Sequence, residues 1–187
     1  MGTAIQEKAT PLHVGRKVTR EQYLDLREDG FKYDMLNGVL QLTPSPDFDH
    51  GEAAGNFGHA LVGHNKKVKA GRVAHETDVL LPDGGDVVRP DIAFLKNAHL
   101  DRIERVIHGA PDMAVEILSD STRERDLNEK ADRYLKNGVQ EYWILDPRER
   151  TIQVWNNRGD KWEKRAGDSL KSELLEGFEV KVSEVFA

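Results

Sequence analysis

Cysteine is absent from the 187-residue chain. That excludes disulfides and thiolate metal sites, and makes a reducing cytoplasm the expected compartment. Long apolar runs are missing too. None approaches the ~20 residues a membrane helix requires, so no membrane contact is expected. The opening segment MGTAIQEKATPLHVGRK has no continuous apolar stretch, and no secretory leader is expected there. It also lacks Ser or Thr at position 6, so Met1-Gly2 is not read as a lipidation signal. Positive charge is in deficit: 27 Lys and Arg stand against 33 Asp and Glu, a formal net charge of −6. A protein that grips a long nucleic acid usually carries a basic footprint. The balance argues against a uniformly basic surface and leaves room for a locally basic groove. No helix-turn-helix or basic major-groove helix stands out. His50, His59 and His64 make no zinc motif, because no pair has the four-residue spacing that stacks two ligands on one helix face.

What is there reads as globular: 38% hydrophobic and 32% charged residues, enough for one domain with a core. Residues 1–18 are expected to form a flexible lead-in and 19–187 a single domain. Thr19 to Gln22 has capping-box spacing ahead of a short helix, with Gly30 as a stop. Asn37-Gly38 between FKYDML and VLQLT is a strong hairpin signal. From Asp49, apolar residues recur at helical steps through Val68, ending at Gly71. RVAHETDVLLP and VVRPDIAFL read as strand-like, joined by a turn at DGGD, with DIAFL a short apolar strand that starts at Asp91. Residues 96–111 read as a long connection with one helical turn around DRIERVI. MAVEIL, VQEYWILD, TIQVWN and KWEKR read as strands, and a helix over 121–138 lies between the first two. Strands on either side of a helix predict a mixed α/β sheet flanked by helices.

Glu116 is the anomaly. In DMAVEILSDS the two-residue period sends Met113, Val115 and Ile117 to one face and Ala114, Glu116 and Leu118 to the other. Both faces are apolar except for this acid. An unpaired buried carboxylate costs several kcal/mol, so it must be neutralised, paired or bound to a metal. Asp91, at the start of another apolar strand, is a candidate companion. Two such acids meeting at one point favour a hard cation such as Mg²⁺. Two readings of Glu116 stand on periodicity alone: a buried metal ligand, or an edge-strand acid with one wet face paired to Arg123 or Arg125. Lys130, counted at 100° per residue, borders the apolar stripe of its helix. It either reaches over the strand end or snorkels at the packed edge, where Asp126 offers an ordinary surface pair. Glu52 is either an outer metal ligand or part of a helix cap, and Ser119 and Ser121 either orient a site or begin the helix. His50, beside Glu52, could touch a phosphate. Tyr134, Tyr142 and Trp143 read as core rather than as base-stacking platforms.

PDIAF followed by PDMAVEILSDSTRERDLNEKADRYLKNGVQEYWILDP resembles the restriction endonuclease domain of the bacterial Uma-two family, within the PD-(D/E)XK nuclease superfamily. The resemblance spans about residues 19–165 and is most specific over 111–147. It implies a restriction-endonuclease-like fold and cleavage of phosphodiester bonds, with Mg²⁺ as cofactor, Mn²⁺ as a substitute and DNA as the expected partner. By it, Asp91 and Glu116 are catalytic metal ligands and the backbone carbonyl of Ile117 a further ligand. Leu118 stands where the superfamily's strand lysine is expected, and Lys130 on the following helix is its counterpart in members whose lysine has migrated. His50 and Ser119 are expected at the substrate. Cutting both strands requires two active sites, which makes a homodimer an expectation. The competing expectations are a non-catalytic nucleic-acid- or protein-binding module that keeps the fold, and a hydrolase of small phosphoesters.

Overall fold

Asn37 and Gly38 adopt positive φ angles of 53° and 73°, the backbone that a two-residue hairpin turn requires. They join β1 (Lys32–Leu36) to β2 (Val39–Thr43). A computed structural model describes residues 11–26, 29–83 and 85–186; residues 1–10 of the lead-in and Gly84 of the DGGD turn lie outside them. Gly15 and Val18 donate to the Leu40 and Gly38 carbonyls, so residues 15–18 run along the hairpin. The Thr19–Gln22 capping box forms and opens α1 (Arg20–Leu24), which stops at Asp25 rather than at Gly30. The long helix α2 (Phe48–Val68) is capped by Asp47, whose side chain accepts from His50 N at 2.9 Å. Lys69 ends it in the left-handed conformation. Gly71 instead opens the next strand, where a Cβ would meet the Leu95 carbonyl at 1.9 Å.

The two strand-like segments each hold two strands. RVAHETDVLLP yields β3 (Gly71–His75) and β4 (Val79–Leu80), separated where Glu76 takes a φ of 45°. VVRPDIAFL yields β5 (Val87–Val88) and β6 (Ile92–Lys96), separated at Pro90, which has no N–H to give a ladder. A 3₁₀ helix over Asn97–Arg102 replaces the helical turn expected around DRIERVI, and β7 (Ile107–His108) follows. Then come β8 (Met113–Ile117), a π-helical turn over Arg125–Lys130 that continues as α3 (Ala131–Lys136), and β9 (Glu141–Asp146). The chain closes with β10 (Thr151–Asn157), β11 (Trp162–Ala166), β12 (Ser169–Lys171), β13 (Glu179–Lys181) and α4 (Val182–Val185).

A six-stranded mixed sheet in the order β11-β10-β9-β8-β6-β3 forms the centre, with β8 and β9 parallel and the other pairs antiparallel. A five-stranded sheet, β2-β1-β5-β4-β7, lies beside it. On one face Met113, Val115 and Ile117 pack with Ala53, Phe57 and Leu61 of α2. On the other, Ala114 and Leu118 pack with Tyr134 of α3 and with Leu36, Val79 and Val88 of the smaller sheet. Burial on both faces is why β8 and β9 are nearly continuously apolar. It also removes the wet-edge reading of Glu116, which is 3% exposed on a central strand. Tyr134, Tyr142 and Trp143 are fully buried, as core residues should be. Among the described residues no helix is long and apolar enough to cross a membrane.

Glu141 shows how a buried acid is satisfied without a counter-cation. Its Oε1 accepts from Leu174 N at 3.0 Å and from Glu173 N at 2.5 Å, and its Oε2 from Trp143 Nε1 at 2.9 Å and Ser172 Oγ at 2.7 Å. These bonds pin the 172–175 turn to the central sheet. Glu141→Ala leaves those donors unpaired and is expected to cost about 2–3 kcal/mol in a urea melt.

Candidate active site

The antiparallel register pairs Ile92 with Val115 and so sets Asp91 opposite Glu116 at the carboxyl end of β8. Asp91 Oδ2 accepts from Ile117 N at 2.7 Å, which fixes its carboxylate against the strand carrying Glu116. Asp91 Oδ1 faces His50 Nε2 at 3.4 Å, delivered by the first turn of α2. His50 Nδ1 is buried without a hydrogen-bond partner among the described residues.

Glu116 points to the opposite side of β8 from the α2 core, towards the π-helical turn. Its Oε1 lies 2.5 Å from Lys130 Nζ and accepts from the Tyr134 hydroxyl at 2.7 Å. Both contacts fall on Oε1. The positive charge that a buried Glu116 demands is thus supplied, in this structure, by an ammonium. Lys130 is fully buried rather than at the edge of its helix face. The 100° count fails because the helix widens to π geometry at residues 125–130, and such bulges cluster at functional sites. Asp126 is buried with it, 3.7 Å from Nζ, so the expected surface pair is an interior one.

Asp34 completes the cluster and was not anticipated. It sits on β1, fully buried, with Oδ1 accepting from Arg89 N at 2.8 Å. Its Oδ2 lies 3.8 Å from Lys130 Nζ and 3.4 Å from Arg125 Nη2. The signal was available: FKYDML, like MAVEIL, carries one acid in an apolar strand. Burial opposes Lys130's charge, but Asp34, Glu116 and Asp126 together outweigh it and raise its pKa, so it stays an ammonium. Burial pushes the Glu116 carboxyl well above the usual range, against Lys130 and with the help of Asp126 and Asp91. Burial is the larger cause at Glu116, and the three surrounding acids are the cause at Lys130.

His50, Asp91, Glu116, Asp126 and Lys130 line a cleft of about 480 Å³ between the α2 entry and the loop after β8. Ser119, also on the wall, bonds to the Ser121 and Thr122 hydroxyls at 3.2 and 2.9 Å. Glu52 is exposed, outside the cleft lining, and is not brought together with Asp91 and Glu116. Among the described residues no group of three or more His, Asp or Glu is placed to hold a metal ion.

Arg123 holds the mouth closed to β9 through two bonds to Asp146, at 2.7 and 2.8 Å. Burial pushes Asp146 up, but Arg123 and the Glu149 N–H win, and its carboxyl lies below its ordinary value of 3.8. A folded pKa below the unfolded one gives stability that is present above about pH 4 and lost as pH falls through the folded value. Asp146→Asn is therefore expected to flatten the acid limb of the stability curve, read by urea melts from about pH 3 to 6.

A mixed sheet with acids on adjacent strands and a lysine on the next helix defines a restriction-endonuclease-like α/β protein. The chain belongs to the Uma2 family, described as "Putative restriction endonuclease", which it matches over residues 20–183. Its fold is similar to that of a solved protein from Anabaena variabilis, titled "a putative nuclease belonging to DUF820". The TM-score is 0.77 at 20% identity, covering 90% of this chain and 97% of the other. Among curated proteins none matches the chain.

Proposed function

We propose that this protein is a divalent-metal-dependent endonuclease that hydrolyses phosphodiester bonds of nucleic acid, with DNA as substrate. One observation carries the proposal: the register sets Asp91 beside Glu116 on neighbouring strands, and both line one cleft together with a lysine that pairs with Glu116. The donor set fits a hard cation. Asp91 Oδ1 faces a histidine at 3.4 Å, and Lys130 and Tyr134 both approach Glu116 at Oε1. With no third side-chain acid converging, the Ile117 carbonyl, water and substrate phosphate would complete the shell. Few protein carboxylates and several waters is the habit of Mg²⁺, for which Mn²⁺ substitutes.

When bound, such a cation polarises a phosphate oxygen and lowers the pKa of a water. Asp91 and Glu116 hold and orient it. Lys130, buried in the wall of the cleft, would place a positive charge where phosphate oxygens gain negative charge. His50 at the α2 entry and Ser119 on the opposite wall would contact the substrate backbone. Cutting both strands would need a second copy of the site, supplied by a homodimer.

The test is cleavage of supercoiled plasmid and of a small phosphodiester, each in EDTA, Mg²⁺ or Mn²⁺. Metal-dependent nicking of plasmid is expected. Turnover of the small ester alone would replace nucleic acid with a small substrate. A specific contact supports a second reading: Lys130 seated on Glu116 Oε1 neutralises the acid without metal. Plasmid binding with no cleavage in any metal would make the chain a non-catalytic module on a nuclease fold.

A further inference from the structure

Lys130 has three N–H bonds to give and one close acceptor, Glu116 Oε1 at 2.5 Å. Two further carboxylate oxygens stand just beyond hydrogen-bond reach: Asp126 Oδ1 at 3.7 Å and Asp34 Oδ2 at 3.8 Å. Both are buried and neither accepts a hydrogen bond among the described residues. Buried acceptors left unmade are costly, and two around one half-used donor call for an explanation. Arg125 reaches Asp34 Oδ2 only at 3.4 Å, and its other contact, Nη1 to the Leu42 carbonyl at 3.0 Å, ties it to the hairpin. The two acids are carried by separate, braced elements. Asp126 rides on the π-helical turn, whose Asp126 carbonyl accepts from the buried Tyr142 hydroxyl at 3.0 Å. Asp34 rides on β1, whose hairpin is clamped to α3 by Arg133, bonded to Asn37 Oδ1 at 2.6 Å and to Asp86. Neither is free to move to the lysine. The lysine, on a four-carbon stem, is the part able to move to them.

The geometry points to Asp34 and Asp126 as positioning residues that receive the Lys130 ammonium once Glu116 is occupied by a cation. This rests on the proposed cation at Asp91 and Glu116. An ammonium 2.5 Å from Glu116 Oε1 and a divalent ion on the same carboxylate repel one another. Without another acceptor the lysine would compete with the ion for Glu116 and weaken its binding. The Asp34–Asp126 pair removes that competition: Nζ leaves Glu116, keeps its charge, and gains two acceptors while remaining at the cleft. Because the coupling is reciprocal, whatever weakens the second seat also weakens the cation.

Crystals grown in EDTA and soaked in Mn²⁺ test this directly. The expected result is Mn²⁺ on Asp91 and Glu116, with Nζ within hydrogen-bond distance of Asp34 Oδ2 and Asp126 Oδ1. Mn²⁺ in place with Nζ still on Glu116 overturns the inference and spares the metal site; no Mn²⁺ at these acids overturns both. In solution, calorimetric titration with Mn²⁺ should show Asp34→Asn binding about tenfold more weakly than wild type. In a Lys130→Met background the same substitution should change affinity by no more than about twofold, since no ammonium needs the seat. Equal losses in both backgrounds would reduce Asp34 to a through-space charge and sink its assignment as a seat. If Lys130→Met does not fold, the soaked crystal of the wild type decides alone.

Discussion

Asp91→Asn and Glu116→Gln should each lower metal-dependent cleavage by at least about 100-fold while leaving the fold intact, the scale seen when one preorganised electrostatic group is removed from a site. The two acids act on one ion, so their losses should not add. The double variant is expected to be little worse than either single one. Stability separates a chemical loss from an unfolded protein. In Glu116→Gln the amide oxygen can still accept from Tyr134 and Lys130. Burial already favours the neutral form of this acid, so a neutral isostere should hold or raise Tm in EDTA. In Asp91→Asn the amide oxygen can still accept from Ile117 N. Cleavage at the wild-type rate by either variant would remove both residues from the site; a fall in Tm matching the fall in rate would make them structural.

The parts of the site legible in the sequence are those where one local rule is broken in isolation. Glu116 interrupts a strand apolar on both faces, and Asp91 opens the neighbouring apolar strand; the register sets them opposite each other. Asn37-Gly38 and the Thr19–Gln22 box were equally local, and both form. What failed needed information from elsewhere in the fold. The chain changes sheet at Glu76 and at Pro90, where a positive φ and a missing N–H break the ladders, and nothing local says which sheet each half joins. The i, i+4 spacing of Asp126 and Lys130 says that they can meet and nothing about whether water is present. Here the smaller sheet covers them, and that sheet is assembled from five distant segments. The π-helical widening that turns Lys130 inward has no sequence mark of its own. Asp34 was within reach of the argument used for Glu116, applied one more time.

Lys130→Met should be the most destabilising of these substitutions, by about 3–5 kcal/mol, because it removes one partner of a buried pair and strands the others. For a chain of 187 residues that is a fall in Tm of roughly 6–20 °C. The methionine fills the space of the lysine stem, so the loss reports charge rather than a cavity. Asp34, Glu116 and Asp126 would then share the interior with Arg125 as the nearest remaining cation, at 3.4 Å from Asp34. The sign of a rescue follows. Adding Glu116→Gln to Lys130→Met deletes one stranded charge and should recover part of the lost Tm, although the same Glu116→Gln removes an ion pair in the wild type. A buried pair in which loss of the lysine alone is costly and loss of both charges is mild contributes specificity of position more than stability. Calorimetry on the four proteins in EDTA measures the cycle. Lys130→Met within about 1 kcal/mol of wild type, with no gain from the second change, would mean that these acids do not depend on the ammonium. The coupling between Lys130 and the acids around it would then be absent.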